Sequence, residues 1–196
     1  MTYFGVALAI MGMFFAVQKK PQWAILCLII CGVCDLFDGM VARRCKRSDD
    51  EKEFGVQIDS LADMINFAAF PVVIGIATGF DQWFMIMIYI LYLLAAITRL
   101  GFFNLLTVSK TAEPGFYKGL PVTYAALIFT IAWVLSRVIE RATAKDLFEV
   151  IFLIAMAFTA ILFVVNIRIA KPRGIAYVFL GLLAIAMATC VIMLGA

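Results

Sequence analysis

Long apolar runs alternate with short polar stretches along the whole chain. Each run is long enough to cross the hydrocarbon core of a bilayer as a helix, which takes roughly 20 residues. The short alternating segments typical of a membrane β-barrel are not seen in the sequence. The pattern predicts an all-α integral membrane protein, a polytopic helical bundle of about seven spans. The predicted spans are residues 2–18, 22–43, 57–79, 82–106, 119–139, 146–167 and 174–195.

The polar stretches between these runs are predicted to be loops and turns, and the longest is Arg43 to Glu53. No linker or repeat divides the chain, so we expect residues 1–196 to form a single membrane domain. No basic region precedes the first run and no cleavage pattern follows it, so we expect a helix there rather than a signal peptide.

Composition agrees with a membrane location, since 65% of the residues are hydrophobic and 15% are charged, against roughly half apolar in soluble domains. A net charge of +3 gives no sign of nucleic-acid binding.

Ten of the sixteen lysines and arginines flank the loops on one side of the predicted bundle, five flank the other side, and Arg99 lies within a span. Because basic loops favour the cytoplasm, the Arg43–Glu53 loop is predicted to be cytoplasmic, with the protein in the plasma membrane.

Four aspartates flank that loop: Asp35 and Asp38 near the end of the second run, Asp59 and Asp63 near the start of the third. Their spacings of three and four residues place each pair on one helical face. Antiparallel helices would bring the two faces together, where four carboxylates need protons or cations to offset their repulsion. Hard divalent cations prefer such oxygen ligands, so Mg²⁺ or Mn²⁺ is predicted.

Zinc is not expected, because the chain has no histidine and we predict no thiolate on that face. Cys27, Cys31 and Cys34 lie at helical spacing within an apolar run; a soft-metal site there is conceivable, but we expect small buried apolar residues. Gly39, Ala42 and Gly55 would leave room for a ligand beside the acids. Arg43 can hold phosphate through its planar guanidinium group.

These residues resemble the signature of the CDP-alcohol phosphotransferase family, D-x2-D-G-x2-A-R followed by G-x3-D-x3-D, with a longer stretch than usual before Gly55. The resemblance implies a six-helix core plus an extra C-terminal span, a homodimer, and transfer of a lipid phosphoryl group from a CDP-linked donor to an alcohol. It also implies that Asp35, Asp38 and Asp59 bind metal and that Asp63 is both a metal ligand and the general base. Gly39, Ala42, Arg43 and Gly55 would line the CDP pocket.

Within the family, the run from Asp59 to Met64 and the segments AITRLGFFN and FYKGLPVTYAA are similar to those of phosphatidylserine synthases. This likeness implies CDP-diacylglycerol and L-serine as substrates. Serine carries a carboxylate, and Arg99, a basic residue inside a span, is a functional candidate by position. Arg99 or Lys118 would bind that carboxylate or a donor phosphate; the alternatives are an internal salt bridge for Arg99 and snorkelling for Lys118. Asn104 is a further candidate.

Two alternatives remain open. Glycerol-3-phosphate or inositol phosphate could be the acceptor, although a phosphate would favour several converging basic residues. A cation-coupled transporter could use the same acids, although internal repeats and broken helices, which are frequent in transporters, are not seen in the sequence.

Overall fold

The computed structural model of the chain describes residues 2–42, 48–79, 82–108, 115–144, 147–172 and 174–195, without the side chains of 39–42 and 49. In these ranges the chain forms seven helices and one short two-stranded ribbon. The helices are α1 (Thr2–Val17), α2 (Pro21–Ala42), α3 (Asp49–Asp63, continued by Met64–Ala69 and Phe70–Ala77), α4 (Trp83–Val108), α5 (Tyr124–Thr143), α6 (Phe148–Val164) and α7 (Ile175–Gly195). The strands are β1 (Phe116–Lys118) and β2 (Arg168–Ala170).

The all-helical, multi-pass membrane architecture is confirmed, but seven full spans are not. Four helical segments in the described part of the chain are long and apolar enough to cross a bilayer, namely Pro21–Asp38, Asp50–Ala77, Trp83–Thr107 and Ile175–Gly195. The apolar helices α1 and α6 are shorter. Helix α5 follows the predicted span 119–139 but begins later, at Tyr124, and its last turns carry Arg137, Glu140 and Arg141.

The predicted loop from Arg43 to Glu53 is wrong in its second half, because α3 already begins at Asp49. A capping box explains the early start. The Ser48 side chain accepts a hydrogen bond from the Glu51 backbone N–H, and the Glu51 carboxylate accepts one from the Ser48 N–H. This arrangement satisfies two backbone donors that the first turn leaves unpaired. The sequence carried the signal, a serine followed by glutamate three residues later.

Helix α3 changes its hydrogen-bonding pattern directly after Asp63. Residues Met64–Ala69 form a π-helical turn, in which the Phe70 N–H reaches back five residues to the Ile65 carbonyl. The Phe67 carbonyl in this turn accepts a hydrogen bond from the Tyr92 hydroxyl of α4. Single π-helical turns inside α-helices frequently occur at functional sites, and this one follows the last of the four aspartates.

Small residues let α1 pack closely against α2 and α3. The buried residues of α1 are Gly5, Ala9, Gly12 and Ala16, spaced three or four apart on one face. A Cβ at Gly12 would lie 2.8 Å from the Cβ of Cys27 and would overlap the ring of Phe70. Close approach through small residues is a common way for helices to associate in a membrane, and it holds α1 over the aspartate-bearing helices.

Aromatic side chains fill the core between α4, α5 and α6. Tyr92 is fully buried, with its ring centroid 5.6 Å from that of Phe129 and 5.7 Å from that of Phe163. Phe129 in turn lies 4.9 Å from Phe152. By contrast, α7 fully buries only Val191 among its described residues, and Ala184, Met187 and Leu194 pack against the core while partly buried.

Two predicted loops pair with each other as the β1–β2 ribbon. The strands are antiparallel, and Tyr117 lies opposite Ile169. The pairing continues past the strands, because the Gly119 N–H donates to the Ile167 carbonyl and the Lys171 N–H donates to the Gly115 carbonyl. The ribbon fixes the turn that leads into α5, and this turn forms one wall of the site described below.

Candidate active site

The four aspartates converge as the sequence predicts. Carboxylate oxygens of Asp35 and Asp38 on α2 and of Asp59 on α3 all lie within 4.8 Å of one another. Three carboxylates at this separation can hold a metal ion, and hard divalent cations prefer oxygen ligands of this kind. Asp63 lies outside this group of three, one turn further along α3.

On one side of the aspartates lies a small cavity of about 200 Å³, bounded by α1, α2 and α3. We call it the α1-side cavity. All four aspartates line it, together with Thr2. The Thr2 hydroxyl donates a hydrogen bond to a carboxylate oxygen of Asp38 at 3.0 Å. Helix α1 therefore closes this cavity and also orients one of the candidate ligands.

On the other side lies a larger cavity of about 480 Å³, which we call the Arg99-side cavity. Asp35, Asp59 and Asp63 line it together with Arg99 and Tyr117. These three aspartates line both polar cavities, whereas Asp38 lines only the α1-side cavity of the two. Asp63 therefore borders both the cavity shared by all four aspartates and the larger space beside Arg99.

Arg99 is 4% exposed and makes no ion pair with any residue that the structure describes. Its Nε donates to the Leu120 carbonyl at 2.7 Å and its Nη2 donates to the Gly119 carbonyl at 3.0 Å. The predicted alternative for Arg99, an internal salt bridge to one of the acids, is therefore wrong. Neutral carbonyls orient the guanidinium, and its positive charge has no carboxylate partner among these bonds.

A third cavity of about 660 Å³ is apolar and lies between α2, α5 and α7. Leu36, Leu180 and Met187 are among the residues that line it. It meets the Arg99-side cavity at Asp35 and Thr123, which line both. An apolar space thus leads directly to the carboxylate cluster.

The structure places none of the other residues predicted to bind CDP or substrate in the lining of the two polar cavities, as far as it describes them. Gly39 and Ala42 lie in the last turns of α2, and Arg43 lies outside the described residues. Gly55 is on α3, one turn before Asp59, and lines neither of the two polar cavities. Lys118 lies on β1 opposite Arg168, and its neighbour Tyr117 lines the Arg99-side cavity instead. Their predicted contacts with CDP or substrate stay predictions.

Two thiols share a cavity with the aspartates. Cys31 and Cys34 both line the α1-side cavity. Cys31 is buried, as predicted, and its Sγ is 3.3 Å from the Gly5 carbonyl oxygen. Neither thiol belongs to the group of three side chains that can hold a metal ion together, so the donor set remains oxygen only and suits a hard cation.

Three other residues around the site were missed at the level of sequence: Thr2, Asn66 and Tyr117. Asn66 carried a usable signal, because it follows Asp63 by three residues and Asp59 by seven and so shares their helical face. Thr2 and Tyr117 carried none, since α1 and the β1–β2 ribbon bring them to the site only through tertiary packing.

Several curated proteins are similar in sequence to this chain. A CDP-diacylglycerol–serine O-phosphatidyltransferase of Saccharomyces cerevisiae is 34% identical over 128 residues, 61% of this chain and 45% of the relative. One from Helicobacter pylori (strain 26695) is 28% identical over 168 residues, 83% of this chain and 67% of the relative. The archaetidylserine synthase of Methanothermobacter thermautotrophicus is 32% identical over 105 residues, 53% of this chain and 43% of the relative. The chain thus spans about half the length of several curated relatives.

The family model for CDP-alcohol phosphatidyltransferases matches residues 1–165, which include all four aspartates and the walls of both polar cavities. With the converging carboxylates and the helical membrane fold, this match identifies the chain as a member of the CDP-alcohol phosphatidyltransferase family.

Proposed function

We propose that this protein transfers the phosphatidyl group of CDP-diacylglycerol to L-serine, releasing CMP and forming phosphatidylserine. The observation that carries the proposal is the Arg99-side cavity, which Asp35, Asp59 and Asp63 line together with an arginine that has no acidic partner among its described contacts. The names of the curated relatives support serine as the acceptor.

Asp35, Asp38 and Asp59 would hold Mg²⁺ or Mn²⁺, with Asp63 as an additional ligand. The fit rests on the separation of their oxygens, within 4.8 Å for the first three, and on the absence of sulfur or nitrogen from that group of three. The bound cation would stabilise negative charge on the phosphoryl oxygens and on the departing CMP. Thr2 would keep Asp38 in position through its hydrogen bond.

Asp63 is proposed as the general base. It would accept the proton of the serine hydroxyl while that oxygen forms a bond to the phosphorus next to the lipid. The bond from this phosphorus to the bridging oxygen of the diphosphate breaks, and CMP leaves with the electron pair. A carboxylate that lines both polar cavities is within reach of the cation cluster and of an alcohol in the Arg99-side cavity.

Arg99 is proposed to bind the serine carboxylate. The Gly119 and Leu120 carbonyls would keep the guanidinium in place before substrate arrives, which lowers the entropic cost of binding. Among the described residues that line this cavity, Arg99 is the single basic one. One cation matches one carboxylate better than it matches the two charges of glycerol-3-phosphate or inositol phosphate.

The donor lipid would extend from the aspartates into the apolar cavity between α2, α5 and α7, with the nucleotide near Gly39, Ala42, Arg43 and Gly55. A cytoplasmic site in the plasma membrane and a homodimer belong to the same proposal. The archaeal relative is named for archaetidylserine, whereas the other relatives are named as phosphatidyltransferases. The lipid part of the donor is therefore a further point to test.

The test is CMP release by purified protein in nanodiscs, with CDP-diacylglycerol, Mn²⁺ and one acceptor at a time. Serine is expected to support turnover, and Asp63→Asn should abolish it. Asp50→Asn, at an exposed position near the start of α3, should leave turnover unchanged.

Turnover with glycerol-3-phosphate or inositol phosphate but not serine would reject the serine assignment and keep the family activity. If neither CDP nor CMP bound in the presence of Mn²⁺, the transferase proposal would fail and a cation-coupled transporter would be the reading to pursue.

A further inference from the structure

Asn66 is a buried amide that the proposed mechanism does not use. It is 4% exposed, and its Oδ1 is fully buried without a hydrogen-bond partner among the described residues. It lies in the π-helical turn that follows Asp63 and lines the α1-side cavity with the four aspartates. Buried side-chain oxygens almost always have a partner, so this one calls for an explanation.

The neighbouring groups restrict what that partner can be. An amide oxygen accepts hydrogen bonds or binds a cation, and ionised carboxylates also only accept. The aspartates that share the cavity therefore cannot satisfy Asn66 Oδ1 while they are ionised. A positive group or a donor of polar hydrogens can satisfy it. The Cys31 and Cys34 thiols that share the cavity are only weak donors, whereas a bound cation or a water bound to it is a strong partner.

We propose that the amide oxygen of Asn66 is a further oxygen ligand for the divalent cation held by the aspartate cluster, either directly or through a water in its coordination shell. Amide oxygens are common ligands of hard cations beside carboxylates. The inference rests on the proposed cation site and adds a neutral ligand on the α1 side. Serine ammonium is the less suitable partner, because Asn66 does not line the Arg99-side cavity.

Helix α1 sets the position of this amide. A Cβ at Gly5 would lie 3.1 Å from Asn66 Nδ2, so Gly5 leaves just enough room for the side chain. The π-helical turn shifts the register of α3 after Asp63 and thereby sets the direction in which Asn66 projects. Both features help to position the Asn66 side chain beside a cavity that the aspartates make attractive to cations.

The test measures Mn²⁺ affinity of the full chain in nanodiscs by the EPR signal of free Mn²⁺, without substrate. Asn66→Leu, which keeps the volume but removes the oxygen, is expected to weaken Mn²⁺ binding about tenfold. Asn66→Asp keeps an oxygen at the same position and should bind Mn²⁺ at least as tightly as the unmodified protein. Thr159→Val, at a buried hydroxyl on α6 that bonds within its own helix, is the control and should not change binding.

Each result that differs from these expectations would reject one specific claim. Unchanged affinity in Asn66→Leu would reject the role of Asn66 and leave the proposed function standing. Equal weakening in Asn66→Asp and Asn66→Leu would mean that the amide N–H group matters, which also rejects the ligand. No Mn²⁺ binding by the unmodified protein would remove the cation site itself. If Asn66→Leu did not fold, the isosteric Asn66→Asp and the smaller Asn66→Ala would decide.

Discussion

The hydroxyl of Ser60 donates a hydrogen bond to the amide oxygen of Asn104 at 2.7 Å, joining α3 to α4. Ser60 directly follows Asp59, and Asn104 follows Arg99 by five residues. The bond therefore helps to set the separation between the carboxylates and the arginine across the Arg99-side cavity. The sequence predicts Asn104 as a candidate substrate contact, whereas the structure gives its amide oxygen a partner within the protein.

Removing either partner should weaken this connection. We expect Ser60→Ala and Asn104→Leu each to lower the free energy of unfolding by about 1 kcal/mol and to raise the KM for serine. The double variant should lose less than the sum, because both changes delete one interaction. Denaturation in detergent and CMP-release kinetics provide the measurements. Thr98→Val, at an exposed hydroxyl bonded within α4, is the control, and strictly additive losses would contradict the coupling.

Replacing Gly119 by alanine, which adds a single methyl group, should impair serine binding. Its φ is +87°, and an added Cβ would lie 3.3 Å from Arg99 Cζ and 3.3 Å from the Val165 carbonyl oxygen. Gly119→Ala is expected to displace the guanidinium and raise the KM for serine by about tenfold, equivalent to about 1.4 kcal/mol of binding. Mn²⁺ affinity should stay unchanged, because Arg99 does not belong to the group of carboxylates that can hold the cation.

The matched control for Gly119 is Gly101→Ala on α4, where an added Cβ meets nothing within 4 Å. It should keep the KM of the unmodified enzyme. If Gly119→Ala had the same KM as Gly101→Ala, the proposed contact between Arg99 and serine would be wrong.

Metal removal should stop the reaction reversibly. Chelation with EDTA is expected to abolish CMP release, and Mg²⁺ or Mn²⁺ should restore it, because the carboxylates otherwise repel both one another and the diphosphate. Asp59→Asn should raise the Mn²⁺ concentration for half-maximal rate by about tenfold or more. Asp50→Asn serves as the control, and full activity in EDTA would contradict a metal-dependent site.

The packing of α1 should respond strongly to a single methyl group. Gly12→Ala places a Cβ 2.8 Å from the Cβ of Cys27 and into the ring of Phe70. Overpacking of this kind is expected to lower stability by about 1–3 kcal/mol, measured as the thermal unfolding midpoint in detergent. Gly181→Ala on α7, where nothing lies within 4 Å, should have no such cost. An unchanged midpoint in Gly12→Ala would contradict the close contact.

The helices and the acidic centre were predictable because their causes are local. Apolar runs long enough to span a bilayer must satisfy their backbone groups internally, and helices do so. The spacings of three and four residues fix which aspartates share a face. Local signals can also conflict: the charged residues around Ser48 and Glu51 favour a loop, whereas their capping box begins a helix.

By itself, the sequence determined a helical membrane protein with Asp35, Asp38, Asp59 and Asp63 on facing helices and a motif typical of one enzyme family. Tertiary structure decided that Arg99 rests on two carbonyls instead of an acid, and that Asn66 shares a cavity with the aspartates. The physical reason is that these relationships depend on the ribbon at Gly119, the π-helical turn after Asp63 and the close approach of α1. The ribbon and the approach of α1 join segments that are distant in the chain. The spacing that puts Asn66 on the face of Asp59 and Asp63 therefore cannot by itself show what lies against that face.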